Sequence, residues 1–236
     1  MTGSLTYLNI AAHPDDLDFG AAGTTAKLTA EGNRVEYCLV TDGEAGGDDA
    51  SMARSEMARI RRREQTSAAK IVGVDTIHFL GFPDGAVVSS LELRQAITGV
   101  IRKVKPDRVI TQSPYWNLDR IYASHPDHLA TGEAAMAAVY PDSRNQFAFP
   151  ELVDGHGLEP HTVQQIWLMG GPEPNLHVDI TDTIDLKIDA LLCHESQIKE
   201  PDRMNTMLRE WARVTADSAG LPEGRLAESF RKVDTV

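Results

Sequence analysis

The sequence predicts one α/β domain built on a doubly wound, mostly parallel sheet. Apolar strand-like runs alternate with helical patterns four times within the first 112 residues, which is typical of repeated βαβ units. Each strand-like run ends in polar residues, at the place where such sheets bind ligands. The chain has 236 residues, so a single Rossmann-like domain over 1–236 with a substantial core is expected.

The elements follow from apolar periodicity, with Gly, Asn or Pro near most of their ends. No Gly-x-Gly-x-x-Gly follows the first strand, so a dinucleotide site has no support. Residues 141–163, rich in Pro, Gly and aromatic side chains, are predicted to be a variable cover segment. Strands are expected over 5–12, 34–40, 75–80, 107–111, 164–169 and 176–180, and helices over 17–31, 52–72, 89–103, 126–140, 183–197 and 202–216.

Composition and charge argue against several classes of binding partner. The formal net charge of -12 disfavours nucleic acid and anionic membrane surfaces, since both select basic proteins. The sequence contains neither a secretory leader pattern nor an apolar run long enough to span a membrane. Cys38 and Cys193 lack zinc-site spacing and suit a reducing compartment. A cytoplasmic protein is expected, and a homo-oligomer is compatible with the sequence.

The first strand is followed at once by His13-Pro14-Asp15-Asp16. An imidazole and two carboxylates are metal-ligand types, and Pro14 fixes its φ near -65°, which stiffens the turn between them. One aspartate could instead cap the following helix. Capping does not explain the histidine, so this strand end is a candidate metal site.

A second cluster, His125-Pro126-Asp127-His128, opens an apolar helical pattern. Pro126 suits the first helical position, with Ser124 or His125 as the N-cap. His128 then lies in the first turn, where the helix dipole disfavours imidazolium and leaves a ring able to bind metal. If this cluster served only to cap the helix, one of the two histidines would be enough.

Together, the two clusters resemble the signature motifs of the LmbE-like, or PIG-L, deacetylases. The resemblance implies the fold of that family and a zinc-dependent hydrolase that removes acetyl groups from N-acetylglucosamine compounds. The expected partner is therefore a small N-acetylated sugar or glycoconjugate. Further stretches that resemble the family are 41–44, 61–73, 82–85 and 194–197.

The predicted metal ligands are His13, Asp16 and His128. Two imidazoles and one carboxylate leave positions open for water and substrate at Zn²⁺, and Fe²⁺ is the alternative metal. Asp15 and Asp16 cannot both chelate if the reaction is to keep a base. The resemblance assigns Asp16 to the metal, which leaves Asp15 as the expected general base.

His125 is expected to stabilise the oxyanion or to protonate the leaving amine, with Asp127 orienting its ring as in a carboxylate-histidine pair. Two histidines and a carboxylate also form the iron site of non-haem oxygenases, but those ligands normally lie on a β-barrel. Two further alternatives are an amidase for another N-acyl substrate, such as a thiol S-conjugate or antibiotic intermediate, and a non-catalytic sugar-binding module.

Four residues are predicted to bind substrate. The resemblance places Arg61 where relatives hold substrate hydroxyls, while most arginines of its helix are expected to form a salt-bridged solvent face. It places Asp84 where relatives hydrogen-bond the sugar, although Asp84 could equally form only a Pro-Asp-Gly turn. Trp116 and Tyr122 lie in a long loop at a strand end, and aromatic faces suit a sugar ring. Some relatives use a tyrosine where this chain has Ala123.

Overall fold

The computed structural model describes residues 3–236 and contains one seven-stranded sheet. Its strands are β1 (Thr6–Ala11), β2 (Arg34–Thr41), β3 (Ile77–Phe82), β4 (Arg108–Gln112), β5 (Gln165–Met169), β6 (Leu176–Asp179) and β7 (Ala227–Asp234). Their spatial order is β3-β2-β1-β4-β5-β7-β6. The first five positions of that order pair in parallel, and β7 runs antiparallel to β5 and β6. The predicted mostly parallel α/β fold is confirmed.

Helices cover both faces of the sheet, and each face has its own apolar core. One core packs β1 and β2 against the first and second helices, and the other packs the sheet against the third and fourth. This is the doubly wound arrangement that the alternating pattern predicted. The helices are α1 (Asp16–Ala30), α2 (Arg54–Ile71), α3 (Leu91–Val104), α4 (Pro126–Val139), α5 (Pro150–Asp154), α6 (Ile184–Leu192) and α7 (Pro201–Ser218).

Strand β1 is the centre of the fold. Tyr7 and Ala11 point into one core and Leu8 and Ile10 into the other, as the two-residue period of a strand requires. Because both faces are covered, the strand reads as a continuous apolar run. Its neighbours are β2 and β4, so the residues that follow β1 emerge at the middle of the sheet edge.

Strand β7 is not among the strands that the sequence predicts. The stretch around Glu228-Ser229-Phe230 forms a strand between β5 and β6. Phe230 is fully buried, but charged residues on both sides of it hide the strand pattern. Glu228 is also buried, and its charge is compensated by a partner that lies far away in the sequence.

That partner is Lys187 of α6, whose Nζ lies 2.6 Å from Glu228 Oε1 and 2.6 Å from the carbonyl oxygen of Phe19. The Glu228 carboxylate also accepts the backbone N–H groups of Gly23 (3.1 Å) and Thr24 (2.7 Å) in α1. A buried ion pair is tolerated when further hydrogen bonds satisfy both charges. The last strand is thereby fastened to the first helix.

The helix predicted over 183–197 is shorter in the structure, and its expected end was wrong. Helix α6 ends at Leu192, and residues 193–197 form turns. The amide of Ser196 donates to Glu64 Oε1 of α2 (2.8 Å), and its hydroxyl donates to Oε2 (2.7 Å). A tertiary acceptor therefore replaces the helical carbonyl, which stops the helix.

Residues 141–163 lie against α3. The fully buried Arg102 donates to the carbonyl oxygens of Asp142, Asn145 and Ala148 at 2.8–3.0 Å. Arg94 forms a two-pronged pair with the Asp142 carboxylate. These contacts fix an otherwise irregular segment by side chain to backbone hydrogen bonds. Its role as a variable cover stays a prediction.

Within residues 3–236, no helix combines the length and the apolar character that a bilayer crossing requires. Cys38 is buried, Cys193 is partly buried, and both thiols are free. The cytoplasmic location expected from the sequence stays a prediction.

Candidate active site

The turn after β1 is tied to both neighbouring strands. The carbonyl oxygen of Ala12 accepts the backbone N–H of Thr41 (2.8 Å) in β2, and the Ala12 N–H donates to Gln112 Oε1 (2.9 Å) in β4. The His13 N–H then donates to Asp16 Oδ2 at 2.7 Å. This hydrogen bond folds the Asp16 carboxylate back toward the His13 ring.

The second motif opens α4 in the way that its sequence predicts. His125 is the N-cap and Pro126 the first helical residue. His125 Nδ1 accepts the backbone N–H of Asp127 at 3.1 Å, which satisfies one of the free amides at the helix start. His128 follows in the first turn, on the side of the helix that faces His13.

Gly132, one turn after His128, lets α4 approach the sheet closely. A Cβ atom at this position would overlap the carbonyl oxygen of Gln112 and lie 2.9 Å from the backbone nitrogen of Pro114. Only glycine fits against this backbone without moving the helix. The contact sets the height of α4, and therefore of His128, above the end of β4.

Donor atoms of three residues converge between the two motifs. His13 Nδ1 lies 3.2 Å from Asp16 Oδ2, Asp16 Oδ1 lies 3.0 Å from His128 Nε2, and the two ring nitrogens are 3.3 Å apart. Zinc bonds of about 2.0–2.1 Å in a tetrahedral site place ligand atoms roughly 3.3 Å apart. The predicted ligand set therefore fits a divalent metal in both donor type and spacing.

The other nitrogen of each ring is fixed by a further partner. His13 Nε2 lies 3.2 Å from Asp127 Oδ2 and 3.1 Å from Asp84 Oδ1, and His128 Nδ1 lies 3.2 Å from the carbonyl oxygen of Ala123. Acceptors at these positions require N–H there. His13 Nδ1 and His128 Nε2 are then left as the unprotonated metal-facing atoms.

Two other combinations of donor atoms lie within 4.8 Å of one another. One of them joins the outer nitrogen of His13, which faces away from Asp16 and His128, with two carboxylates, and all three side chains are buried. The other contains no carboxylate. The combinations are His13 with Asp84 and Asp127, and His13 with His125 and His128.

The buried carboxylates make this region a strong cation site. Burial by itself lowers the pKa of His13, but the charge of Asp16 and the hydrogen bonds to Asp127 and Asp84 outweigh it and raise that pKa to about 12. Burial also disfavours the ionised form of Asp16, yet His128 and His13 hold its pKa well below the usual range. A positive charge, as a proton or a metal ion, is therefore favoured between these groups.

Asp15 lines the adjoining cavity together with Asp16 and His128. Its φ of 89° lies in the left-handed region, which non-glycine residues adopt mainly where the surroundings enforce it. Its backbone N–H donates to Gln65 Oε1 (2.9 Å), and its Oδ2 lies 3.1 Å from Arg61. Burial raises the pKa of the Asp15 carboxyl to about 6, against the opposing charge of Arg61.

His125 is exposed, and its ring centroid lies 5.1 Å from that of His13. Since its Nδ1 is an acceptor, the neutral ring carries its proton on Nε2. The expected pairing with the Asp127 carboxylate was wrong. That carboxylate accepts the amides of Gly85 (2.8 Å) and Val87 (3.3 Å) and faces His13.

Arg61 and Asp84, which are predicted to bind substrate, form hydrogen bonds to other residues of the protein. Arg61 is only 4% exposed and donates to the carbonyl oxygens of Pro14 and Gly43 as well as to Asp15. Asp84 lies against His13 and accepts the N–H of Ala45 at 2.8 Å. Their contacts with substrate stay predictions.

The cavity beside Asp15 has a volume of about 740 Å³. Tyr122 lines it, and its ring stacks on Trp211 of α7 with centroids 6.3 Å apart and an interplanar angle of 16°. Trp116 is 55% exposed and is not among the lining residues, nor is any residue of 141–163. The lining residues include Asp15, Asp16 and His128, and also Arg120, Tyr122 and Trp211.

Sequence reasoning assigned no function to Gln65, Asp18, His194 or Trp211. Asp18 and Gln65 are fully buried polar residues within helices, which periodicity alone cannot separate from ordinary helix positions. His194 lies in the 194–197 stretch that resembles a family signature, and that likeness was the available signal. Trp211 comes from α7, whose position over the cavity depends on the tertiary fold.

The chain is similar to several known proteins. The family model PIG-L, described as GlcNAc-PI de-N-acetylase, matches residues 8–139. Diacetylchitobiose deacetylase from Thermococcus kodakarensis is 36% identical over 96% of this chain and 82% of its own. A probable N-acetyl-alpha-D-glucosaminyl L-malate deacetylase 2 from Bacillus anthracis is 29% identical over 80% of each chain. The solved N,N'-diacetylchitobiose deacetylase from Pyrococcus horikoshii has a TM-score of 0.89 and 34% identity, over 98% of this chain and 84% of that one. The chain therefore belongs to the PIG-L family.

Proposed function

We propose that this protein is a metal-dependent deacetylase of an N-acetylglucosamine-type sugar or glycoconjugate. The observation that carries the proposal is the convergence of His13, Asp16 and His128 at 3.0–3.3 Å, beside a cavity that the Asp15 carboxylate lines. The names of the relatives, which are deacetylases of diacetylchitobiose and of an N-acetylglucosaminyl malate, support the sugar class.

His13, Asp16 and His128 would hold the metal, with zinc proposed and iron(II) as the alternative. When bound, the ion supplies polarisation of the acetyl carbonyl and a water of lowered pKa. The same three ligand types occur in non-haem iron oxygenases, but the spare carboxylate of Asp15 is what hydrolysis needs. Membership of a deacetylase family also favours hydrolysis.

Asp15 is the proposed general base. Its carboxylate takes a proton from the water whose oxygen attacks the acetyl carbon, and this proton is then available to the sugar nitrogen as the C–N bond breaks. The products are acetate and the free amine. The attachments to Arg61 and Gln65 hold the carboxylate at the cavity wall throughout.

His125 is the proposed donor on the opposite side of the reacting amide. Its exposed Nε2–H can hydrogen-bond the oxyanion or protonate the leaving nitrogen. The backbone N–H of Asp127 orients the ring, while the Asp127 carboxylate holds His13. Asp127 thus acts as a positioning residue, in place of the catalytic role that its sequence context suggested.

Tyr122 and Trp211 line the cavity and stack on each other. Aromatic faces offer apolar area for a ring attached to the acetylated sugar. We therefore propose these two side chains, the aromatic pair, as the wall that receives this second moiety. Trp116 does not line the cavity, so the contact with substrate predicted for it would require movement of its loop.

The test is amine release from a panel of N-acetylglucosamine compounds by protein that has been stripped with a chelator and then restored with zinc. The panel contains N-acetylglucosamine, N,N'-diacetylchitobiose and the malate and inositol glycosides of N-acetylglucosamine. We expect metal-dependent release from at least one member, and none from Asp16→Ala. A silent panel with stoichiometric metal bound would overturn the proposal. A thiol S-conjugate amide and an antibiotic amide are assayed in parallel, and release from one of these alone would overturn the sugar class.

A further inference from the structure

The contacts between the 194–197 stretch and α2 have no role in the chemistry described above. Arg61, Glu64 and Gln65 are spaced so that they share one face of α2. Arg61 and Gln65 contact Asp15, and Glu64 holds Ser196. This face of α2 therefore lies between the proposed base and the turn that follows α6.

A continuous series of hydrogen bonds runs from that turn to the backbone of Asp15. His194 Nε2 lies 2.8 Å from Asp18 Oδ2, Gln65 Nε2 donates to the same oxygen at 2.8 Å, and Gln65 Oε1 accepts the Asp15 N–H at 2.9 Å. His194, Asp18 and Gln65 are each 0% exposed. Water cannot replace any of these partners.

The chemistry of the groups sets the direction of every bond in the series. A backbone N–H can only donate, so the carbonyl side of the Gln65 amide must face Asp15. Its NH₂ group then faces the Asp18 carboxylate, which accepts. The same carboxylate oxygen requires N–H on His194 Nε2. One arrangement of the amide and of the imidazole tautomer satisfies the whole series.

The end point of the series is a residue in an uncommon conformation. Asp15 has a φ of 89°, and such a conformation persists when its surroundings over-determine it. Gln65 holds its backbone and Arg61 its carboxylate. The metal-facing side chains have different supports, namely Asp84 and Asp127 for His13 and the Ala123 carbonyl for His128.

We propose that His194, Asp18 and Gln65 form a positioning relay that holds the backbone of Asp15 so that its carboxylate faces the substrate. The inference rests on the proposed function, since it gives Asp15 the role of base. The three residues touch neither substrate nor metal. Their loss is expected to misplace the carboxylate and to leave the metal site assembled.

The test compares His194→Leu and Gln65→Met with the wild type on the best substrate of the panel. A misplacement of about 1 Å costs roughly 10²-fold in rate, so we expect kcat to fall by about that factor, with KM and zinc content unchanged. His194→Gln keeps an N–H donor near the Nε2 position and should recover part of the lost kcat. His161→Leu is the matched control, because His161 Nε2 contacts only the carbonyl oxygen of Pro106 at 2.7 Å, outside the relay.

A second readout does not depend on turnover. Amide hydrogen exchange of Asp15, measured by NMR, should be slow in the wild type and at least tenfold faster in Gln65→Met. Unchanged exchange, or zinc lost together with kcat, would overturn the relay, as would a His194→Gln variant no better than His194→Leu. If the wild type releases no amine from the panel, the proposed function fails, and the exchange measurement still decides whether Gln65 holds Asp15.

Discussion

Two parts of the candidate site are built differently. At the metal-ligand end, each of His13 and His128 has both ring nitrogens facing defined partners, and the surrounding carboxylates are largely buried. At the aromatic pair, Tyr122 is 63% exposed and is held by ring stacking on Trp211. Under the proposed function, we therefore expect the chemistry to depend on redundant buried hydrogen bonds, and substrate choice to depend on exposed side chains that can change without disturbing the fold.

The largest effect is expected at Asp15, because no other residue is proposed as the base. Asp15→Asn keeps the size of the side chain and removes the base, so kcat should fall by about 10²–10⁴-fold. Metal content, measured by mass spectrometry of the purified protein, should stay near that of the wild type. Normal turnover in this variant would remove Asp15 from the mechanism and leave the metal end without a base.

Asp127→Asn tests whether His13 Nε2 needs both of its carboxylate partners. The substitution weakens the acceptor opposite His13 Nε2 but leaves Asp84 in place. Loss of such an outer partner typically costs about 10–100-fold in metal affinity, and we expect a value in that range by competition with a zinc chelator. Asp48→Asn, in an exposed loop, is the control and should bind zinc as the wild type does. An unchanged zinc affinity in Asp127→Asn would show that Asp84 suffices.

Gly132→Ala and Gly99→Ala form a matched pair on neighbouring helices. At Gly99 a Cβ atom meets Leu152 at 3.6 Å and Leu158 at 4.0 Å, both ordinary contact distances, so alanine should raise the free energy of unfolding by ~0.5–1 kcal/mol through helix propensity. At Gly132 the added Cβ atom meets backbone atoms, and this overpacking should lower the free energy of unfolding by ~1–3 kcal/mol. Urea unfolding measures both values. Equal shifts would mean that α4 is not set by this contact.

The smallest effect is expected at the aromatic pair of Tyr122 and Trp211. Trp211→Ala should raise KM roughly 2- to 10-fold with kcat unchanged, from the ~0.5–1.5 kcal/mol of an aromatic contact. Trp116→Ala should leave KM as it is, because Trp116 does not line the cavity. Initial rates over a range of disaccharide concentrations separate the two constants. A KM raised by Trp116→Ala would instead show that its loop folds over the substrate.

Features encoded by nearby residues could be predicted from the sequence. The four strand and helix repeats followed from periodicity, and the N-cap position of His125 followed from the Pro126 beside it. The convergence of the two motifs was predictable because parallel strands end at one edge of the sheet. Local pattern therefore gave the fold class and the place of the candidate site.

Features decided by distant partners could not be predicted. Asp127 faces His13 instead of His125 because the amides of Gly85 and Val87, in the connection after β3, hold its carboxylate. Arg61 turns inward because the carbonyl oxygen of Pro14 lies within its reach. No spacing rule in one sequence links these positions, since each pairing depends on how the connections fold over the sheet edge.

The ion pair between Lys187 and Glu228 has a consequence for synthesis of the protein. All three proposed metal ligands have been translated once residue 128 is added, yet the carboxylate that holds α1 at Gly23 and Thr24 comes about 100 residues later. At the usual rate of translation this interval is roughly 5 to 20 s. Until β7 inserts between β5 and β6, Lys187 has no carboxylate partner from Glu228. Helix α1 therefore gains its hydrogen bonds to Glu228 only when β7 joins the sheet.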